Sequence, residues 1–303
     1  ATNNAQRLLV SSTGNVGIGS STPGAALDVS GTMRMSSAFT MRNKLINGAM
    51  VIDQRNSGAS VSFPVASTTP YTVDRWCIYV GQGSKLTAQQ NAASVTPPAG
   101  YKNYLGITST SSYAVLTGDT FALIQAIEGF NVADLAWGTA SAQTVTISFW
   151  VRSSLTGTFG GSLTNDVGSR AYPFNYTISS ANTWEQKTVT IAGDQSGTWQ
   201  TNNTIGVALR FGLGSGSTFT AAAGAWAAGN YVQPTGSQSV VGTNGATFYI
   251  TGVQLEIGAA ATPFEYRNYQ QELAMCQRYY EMSYDIGTAP GATTTNGMAV
   301  GYF

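Results

Sequence analysis

The sequence predicts an all-β protein: a short β-hairpin shaft, a jelly-roll-like β-sandwich and one short C-terminal axial helix, assembled as a homotrimer. Composition is the first reason. Only 9% of the 303 residues are charged although 43% are hydrophobic, against about a quarter charged in ordinary soluble domains. Ser, Thr, Asn, Gln and Gly fill the gap, with 35 glycines and 15 tyrosines, and such residues suit short strands and tight turns better than long helices. The second reason is pattern: short alternating apolar–polar segments recur along most of the chain, separated by Gly/Asn/Ser/Thr/Pro turns.

The same composition excludes several functions. Fourteen Lys/Arg balance fourteen Asp/Glu, so nothing concentrates positive potential enough to hold nucleic acid or an anionic membrane. The longest small-apolar run, 221–229, is far short of the roughly 20 residues that span a bilayer, so no membrane insertion is expected. No Sec-type signal opens the chain. The missing initiator Met and a strand-like end at Met298 to Phe303 read as a segment of a longer polypeptide. Histidine is absent, which removes the usual general base, the commonest metal ligand and every Ser–His or Cys–His nucleophile pair. No catalytic residue, metal site or cofactor is therefore expected. The two cysteines, Cys77 and Cys276, sit among apolar or aromatic neighbours and read as buried free thiols rather than a bridge.

The shaft is assigned to 1–44. In 8–18, Val10 opposite Val16 and Leu8 opposite Ile18 centre a turn on Thr13. In 27–35, Val29 faces Met33 and Leu27 faces Met35 across a three-residue loop, which sets Asp28 across from Arg34. Each hairpin has one narrow apolar face and no local core, and isolated hairpins are marginal in water. Three chains around a common axis would cover those faces. The glycines of Gly14-Asn15-Val16-Gly17-Ile18-Gly19 and of Phe211-Gly212-Leu213-Gly214-Ser215-Gly216 lack the spacing and the following helix of a nucleotide-binding loop.

The sandwich is assigned to 45–267, with strand patterns at 71–80, 114–126, 143–152, 184–191, 205–213 and 247–257. Pro263 introduces the one convincing helix, assigned to 268–284. Asn268 can cap it, with Gln271 three residues on. Tyr269, Leu273, Cys276 and Tyr280 follow at the spacing of a short coiled-coil seam; the alternative is a helix docked on its own sandwich. Residues 285–303 read as the start of a further β domain. The trimer-interface residues on this reading are Val16, Ile18, Leu27, Val29, Tyr269, Leu273, Cys276 and Tyr280.

These pieces, in order, resemble a known family. Gly14-Asn15-Val16-Gly17-Ile18-Gly19, then Pro23-Gly24-Ala25-Ala26-Leu27-Asp28-Val29-Ser30-Gly31, resembles the shaft repeats of bacteriophage tail fibres and related trimeric adhesins. Leu45-Ile46-Asn47-Gly48-Ala49-Met50, Asp53-Gln54-Arg55 and Tyr71-Thr72-Val73-Asp74-Arg75-Trp76 resemble the entry to a sandwich module of phage tail proteins. The exit is similar too, from Phe248-Tyr249-Ile250-Thr251-Gly252-Val253-Gln254-Leu255-Glu256-Ile257-Gly258 through Thr262-Pro263-Phe264-Glu265-Tyr266-Arg267 into Cys276-Gln277-Arg278-Tyr279-Tyr280-Glu281. The resemblance implies a virion tail component assembled in the host cytoplasm, trimeric, with a carbohydrate-binding-module-like sandwich. Its implied partners are copies of itself, other phage tail proteins and a bacterial surface glycan. Fold kinship by itself fixes no ligand.

Alternation locates a binding face. Val145, Ile147, Phe149 and Val151 form one apolar set, leaving Thr144, Thr146, Ser148, Trp150 and Arg152 opposite. Val207, Leu209, Phe211 and Leu213 leave Arg210 on the other side, and Val253, Leu255 and Ile257 leave Gln254 and Glu256. If the three strands share a sheet, its outer face carries Trp150, Arg152, Arg210, Gln254 and Glu256, a platform and hydrogen-bonding groups suited to a sugar. The alternative puts Trp150 under a loop or against a neighbouring subunit, with Arg210 and Glu256 a structural ion pair. Trp76 and Trp184 read as core. Trp137, Trp199 and Trp226 suit either loop-tip recognition or capping of the sandwich end. Val240 and Val241 could serve as a trimer contact. A structural spacer of the fibre is the second functional reading. A glycan depolymerase is the third, but it needs two carboxylates at glycosidase separation, and Asp53, Asp74, Glu128, Asp134, Asp166 and Asp194 form no local pair.

Overall fold

The structure is a computed structural model, described here for residues 8–30, 41–166 and 168–282. The chain divides into two compact units between Met41 and Arg42.

The first unit is a three-stranded sheet of β1 (Leu8–Val10), β2 (Val16–Ile18) and β3 (Leu27–Val29). β1 and β2 form the expected hairpin, with Leu8 opposite Ile18 and Val10 opposite Val16. Its turn closes through Ser11 N–H to the Asn15 carbonyl at 2.8 Å, with Gly14 left-handed at φ 85°. β3 adds a pairing that the two expected hairpins did not include. It lies parallel to β2, pairing Val16 with Leu27 and Ile18 with Val29, and the Asp28 carboxylate accepts from Ser20 Oγ and Gly24 N–H, both at 3.1 Å. Asp28 thus ties down the connection from β2. Met33, Arg34 and Met35 lie outside the described residues. Gly17 is needed where it stands, because a Cβ there would collide with the Ser20 carbonyl.

The second unit is a β-sandwich, and the protein is all-β but for one short helix and a few 3-10 turns. Its strands are β4 (Val61–Ser62), β5 (Cys77–Val80), β6 (Leu86–Gln90), β7 (Leu105–Ser109), β8 (Thr120–Glu128), β9 (Val145–Ser153), β10 (Gly157–Thr164), β11 (Arg170–Ile178), β12 (Glu185–Ile191), β13 (Ile205–Ser215), β14 (Thr220–Ala221), β15 (Ala227–Ala228), β16 (Gln233–Pro234) and β17 (Thr247–Ile257). One six-stranded sheet has the order β15-β11-β10-β13-β8-β5, the other β12-β9-β17-β7-β6-β4, and β14 and β16 make a small parallel pair.

Alternation explains the core. Val145, Ile147, Phe149 and Val151 of one sheet and Val207, Leu209, Phe211 and Leu213 of the other are all buried, each worth about 1.5–3 kcal/mol relative to exposure for a large side chain. Phe149 meets Phe211 and Tyr176 edge-on at 5.0 Å each, the orientation that a ring quadrupole favours. Ile257, read as inward, lies at the open end of β17 and is exposed. Val240 and Val241 are fully buried in this core, so they close the sandwich rather than meet another subunit. Trp76 is buried as expected, its indole N–H donating to the Asn47 carbonyl at 3.1 Å. Trp184 differs: it precedes β12, half-buried, and rests edge-on against Tyr104 at 5.5 Å. Both cysteines are free; Cys276 is buried and Cys77 only partly so.

The helix α1 (Tyr269–Gln277) begins as expected, with Asn268 accepting from Gln271 N–H at 2.8 Å. Its placement follows the alternative reading. Cys276 is buried against Ile46 and Ile52 of the same chain, flanked by Leu273, Met275 and Tyr279. Tyr280 holds the Arg55 guanidinium over its ring at 3.5 Å, and only Tyr269 of the four seam residues is well exposed. The entry segment decides this, because Ile46 and Ile52 offer an apolar seat and Glu128 adds a clamp. Arg278 donates to both Glu128 oxygens, at 2.9 and 2.5 Å, and the Tyr279 hydroxyl donates to the same carboxylate at 2.8 Å. An axial coiled coil through this seam would have to undo those contacts. The expected β structure at 285–303 lies outside the described residues.

Candidate functional site

The five residues placed on one outer face by alternation do not stay together. Trp150 and Arg152 on β9 and Gln254 and Glu256 on β17 do share a face, since Ser148 stands opposite Gln254 and Thr146 opposite Glu256. Arg210 is on β13, in the other sheet, between Ser162 and Ile124. An alternation pattern fixes which way a side chain points relative to its neighbours, but not which sheet the strand joins. The Arg210–Glu256 ion pair is excluded for the same reason.

Gln254 and Glu256 are also buried rather than presented. Glu256 accepts from Thr262 N–H at 2.8 Å, from Thr262 Oγ1 at 2.6 Å and from Gln254 Nε2 at 2.8 Å. Gln254 Oε1 accepts from Glu265 N–H at 2.8 Å. These two residues staple the segment that leaves β17 back onto the sheet. Trp150 is half-exposed beside Arg152, whose guanidinium donates to the Asn182 carbonyl at 2.9 Å and lies over Tyr249 at 5.4 Å.

The stapled segment builds a different site. Residues 43–51, 100–103 and 264–272 converge on a cleft of about 240 Å³. Tyr101 of its lining packs over Gly252, left-handed at φ 60°, where β17 shifts register against β9. A Cβ at Gly252 would come within 2.6 Å of the Tyr101 ring, so only glycine lets Tyr101 seat there. Tyr101 meets Phe264 edge-on at 5.4 Å and Tyr266 at 5.6 Å, and Phe264 meets Tyr266 edge-on at 4.9 Å. Burial lifts the Tyr101 hydroxyl above the ordinary phenol range. The Tyr266 hydroxyl donates to the Gly100 carbonyl at 3.0 Å. That bond helps anchor a ring that is 58% exposed, and Tyr269 of the same lining is 47% exposed.

The polar lining is mostly spent. Arg267 donates to the carbonyls of Leu45 and Asn43 and pairs with Glu265 at 3.4 Å and Glu272 at 3.6 Å. Glu265 accepts from Asn43 N–H at 2.8 Å, and Glu272 accepts from Asn47 N–H. Two carboxylates beside one cleft would otherwise suggest acid–base chemistry, but both are committed to Arg267 and to backbone amides. Lys102 is exposed at the rim with no ion-pair partner among the described residues, and Asn103 stands next to it. The arrangement offers aromatic surface for the C–H faces of a sugar ring and rim donors for its hydroxyls. The sequence signal was the pair Phe264 and Tyr266 in Thr262-Pro263-Phe264-Glu265-Tyr266-Arg267, two aromatics on one side of an extended segment.

The remaining tryptophans cap. Trp137, Trp199 and Trp226 interlock edge-on at 4.7, 5.2 and 5.3 Å. Their indoles donate to the carbonyls of Gln143, Ser196 and Ala192, which leaves them no free donor. Among the described residues no group of three acidic or cysteine side chains is gathered as a metal site.

No protein-family model matches the chain, and no curated protein does either. Solved structures with some likeness exist. A putative sugar-binding protein from Bacteroides thetaiotaomicron is 12% identical at TM-score 0.37, covering 71% of this chain and 100% of its own. The enzymatically active domain of tailspike protein 4 of bacteriophage CBA120 is 11% identical at TM-score 0.36 over 72% of this chain. The chain spans only 22% of that tailspike domain. The family 11 carbohydrate-binding module of Clostridium thermocellum, solved with a mixed-linked tetrasaccharide, is 14% identical at TM-score 0.32, covering 62% and 91%. Likenesses this loose carry no functional argument, and the sandwich assignment rests on the strand pairing itself.

Proposed function

We propose that this chain is a phage tail-fibre adhesin that binds a bacterial surface glycan in the cleft of Tyr101, Phe264, Tyr266 and Tyr269. The observation that carries the binding reading is the exposure of Tyr266 and Tyr269 around a concave site. Large exposed aromatics clustered at one place mark recognition surfaces. A spacer has no use for them, so adhesion is preferred to the purely structural reading. Catalysis is not proposed, because the acids that could serve it are occupied. Asp194 is held by Arg170, Asp119 by Tyr113 and Gln82, and Glu128 by Arg278.

The tail-fibre role is supported by the ordered motif series, and trimerisation by the first unit. There the register gathers Leu8, Ile18 and Val29 in one row and Val10, Val16 and Leu27 in the next, all on one face. Within the unit Leu8 remains 62% and Val10 63% exposed. Two further copies of the chain would cover that face, in a virion tail with other tail proteins. The test is a glycan array on the purified protein, followed by titration of a retained glycan against Tyr266→Ala. A loss worth more than about 1 kcal/mol is expected for an anchoring aromatic. Unchanged affinity would remove the cleft from consideration, and an array with no retained glycan would reject the adhesin reading.

A further inference from the structure

Arg210 sits in the middle of the sandwich sheet remote from the β17 strand, and its surroundings do not suit a cation. The register places a row across that sheet: Pro173, Ser162, Arg210, Ile124 and Cys77. Ala208 and Gly212 lie on either side along β13. The row contains no carboxylate. Several other buried or half-buried cations of the sandwich have carboxylate partners, Arg170 in Asp194, Arg267 in Glu265 and Glu272, and Arg55 in Asp74, whereas Arg42, Lys85 and Arg152 rest on carbonyls or rings instead. Arg75 rests on the Tyr279 ring at 3.4 Å with Glu128 nearby. Among the described residues Arg210 has one bond, from Nη1 to the side-chain oxygen of exposed Asn230 at 2.5 Å, and its Nε is buried without a partner.

The neighbouring polar atoms are unmet in the same way. Ser162 Oγ, Thr164 Oγ1 and Gln233 Oε1 are buried with no hydrogen-bond partner among the described residues. All belong to this outer face: Ser162 stands directly across from Arg210, Thr164 is across from Ala208, and Gln233 lies over Gly212. Single unmet buried atoms occur elsewhere on the sandwich, the Nε of Arg42, Arg55, Arg75 and Arg267 among them, but here four lie side by side on one face. Desolvation at this spot is strong enough to lower the Arg210 pKa from 12.5 to about 10. A half-buried guanidinium is a planar donor that a carboxylate fills, here backed by the buried hydroxyls of Ser162 and Thr164. Ile124 and Ala126, only half-buried, leave the approach open on the β8 side.

We infer that Arg210, with Ser162 and Asn230 beside it, is a second subsite that takes the carboxylate of an acidic sugar. The identity of the carrier as a sugar rests on the glycan-binding reading; the subsite shares no residue with the aromatic cleft. Calorimetric titration of the whole chain with tri-galacturonate and with its neutral galactose counterpart tests it. Wild type and Tyr266→Ala should both bind the acid form at this subsite. Arg210→Met should weaken that binding at least tenfold, Arg210→Lys should restore part of it, and added salt should weaken it. Because the mutation removes an uncompensated charge, Arg210→Met should also melt no lower than wild type without ligand. Equal affinity for acid and neutral trimers, no binding of the acid form, unaltered binding by Arg210→Met, or a melting temperature several degrees lower would each overturn the inference. Failure of the cleft reading shows separately, as a Tyr266→Ala protein that retains every neutral glycan the wild type retains.

Discussion

The two units of this chain use one building rule and reach opposite ends. In the three-stranded sheet, alternation puts Leu8, Val10, Val16, Ile18, Leu27 and Val29 on one face, and none of the described residues of the unit covers it. In the sandwich the same alternation puts Val145, Ile147, Phe149 and Val151 on one face, and a second sheet closes over them. Alternation decides only that a face is apolar. A second layer decides whether that face becomes a core. The sandwich should therefore carry its stability alone, whereas the small sheet should depend on association.

The largest effect should come from breaking the closed layer. Phe211→Ala removes a fully buried ring in contact with Phe149, Phe174 and Phe248. It should cost about 3–5 kcal/mol in denaturant unfolding of the sandwich. A loss below about 1 kcal/mol would mean that the two sheets do not share one core. Next comes Gly252→Ala, where φ 60° and the Tyr101 ring both oppose a Cβ. It should cost about 1–3 kcal/mol, and it should lower affinity for any cleft glycan together with stability. Retained affinity in a destabilised protein would separate the bulge from the cleft.

Acid should act more locally. The Arg278 guanidinium and the Tyr279 hydroxyl hold the Glu128 carboxyl below its ordinary value of 4.5. A depressed carboxyl contributes stability that is complete above that value and is lost as pH falls through the lower folded-state pKa. Proteolysis in the segment after β17 should therefore accelerate as pH falls below the ordinary value of 4.5, and Glu128→Gln should show the faster cleavage already at neutral pH. Identical cleavage of the two proteins at pH 7 would show that the ion pair does not hold the helix. The smallest effect should be Leu8→Ser with Val10→Ser. The sandwich melting transition should stay in place while light scattering reports the loss of any trimer. A shift in that transition would couple the two units.

Much of this could be read without coordinates. The Leu8–Ile18 and Val10–Val16 register, the Asn268 cap, the burial of Trp76 and the inward faces of β9 and β13 each follow from spacing within one segment. Such features depend on residues close together in sequence. The candidate cleft was legible only as fragments: Phe264 and Tyr266 were visible as a pair, but Tyr101 is more than a hundred and fifty positions away. Gly252, read as part of a motif, gave no sign that it seats a tyrosine.

By itself the sequence determined the all-β character, the direction of each alternating side chain and the absence of histidine chemistry. Tertiary structure decided the rest. It put Arg210 in the sheet opposite Trp150, turned Gln254 and Glu256 into a buried staple, laid β3 parallel to β2 and folded the helix onto Ile46 and Ile52. The physical reason is common to all four. An apolar or polar residue specifies what kind of partner it needs, but many segments can supply one. The choice among them is made by the joint packing of strands far apart in the chain, where each pairing removes the alternatives for the next.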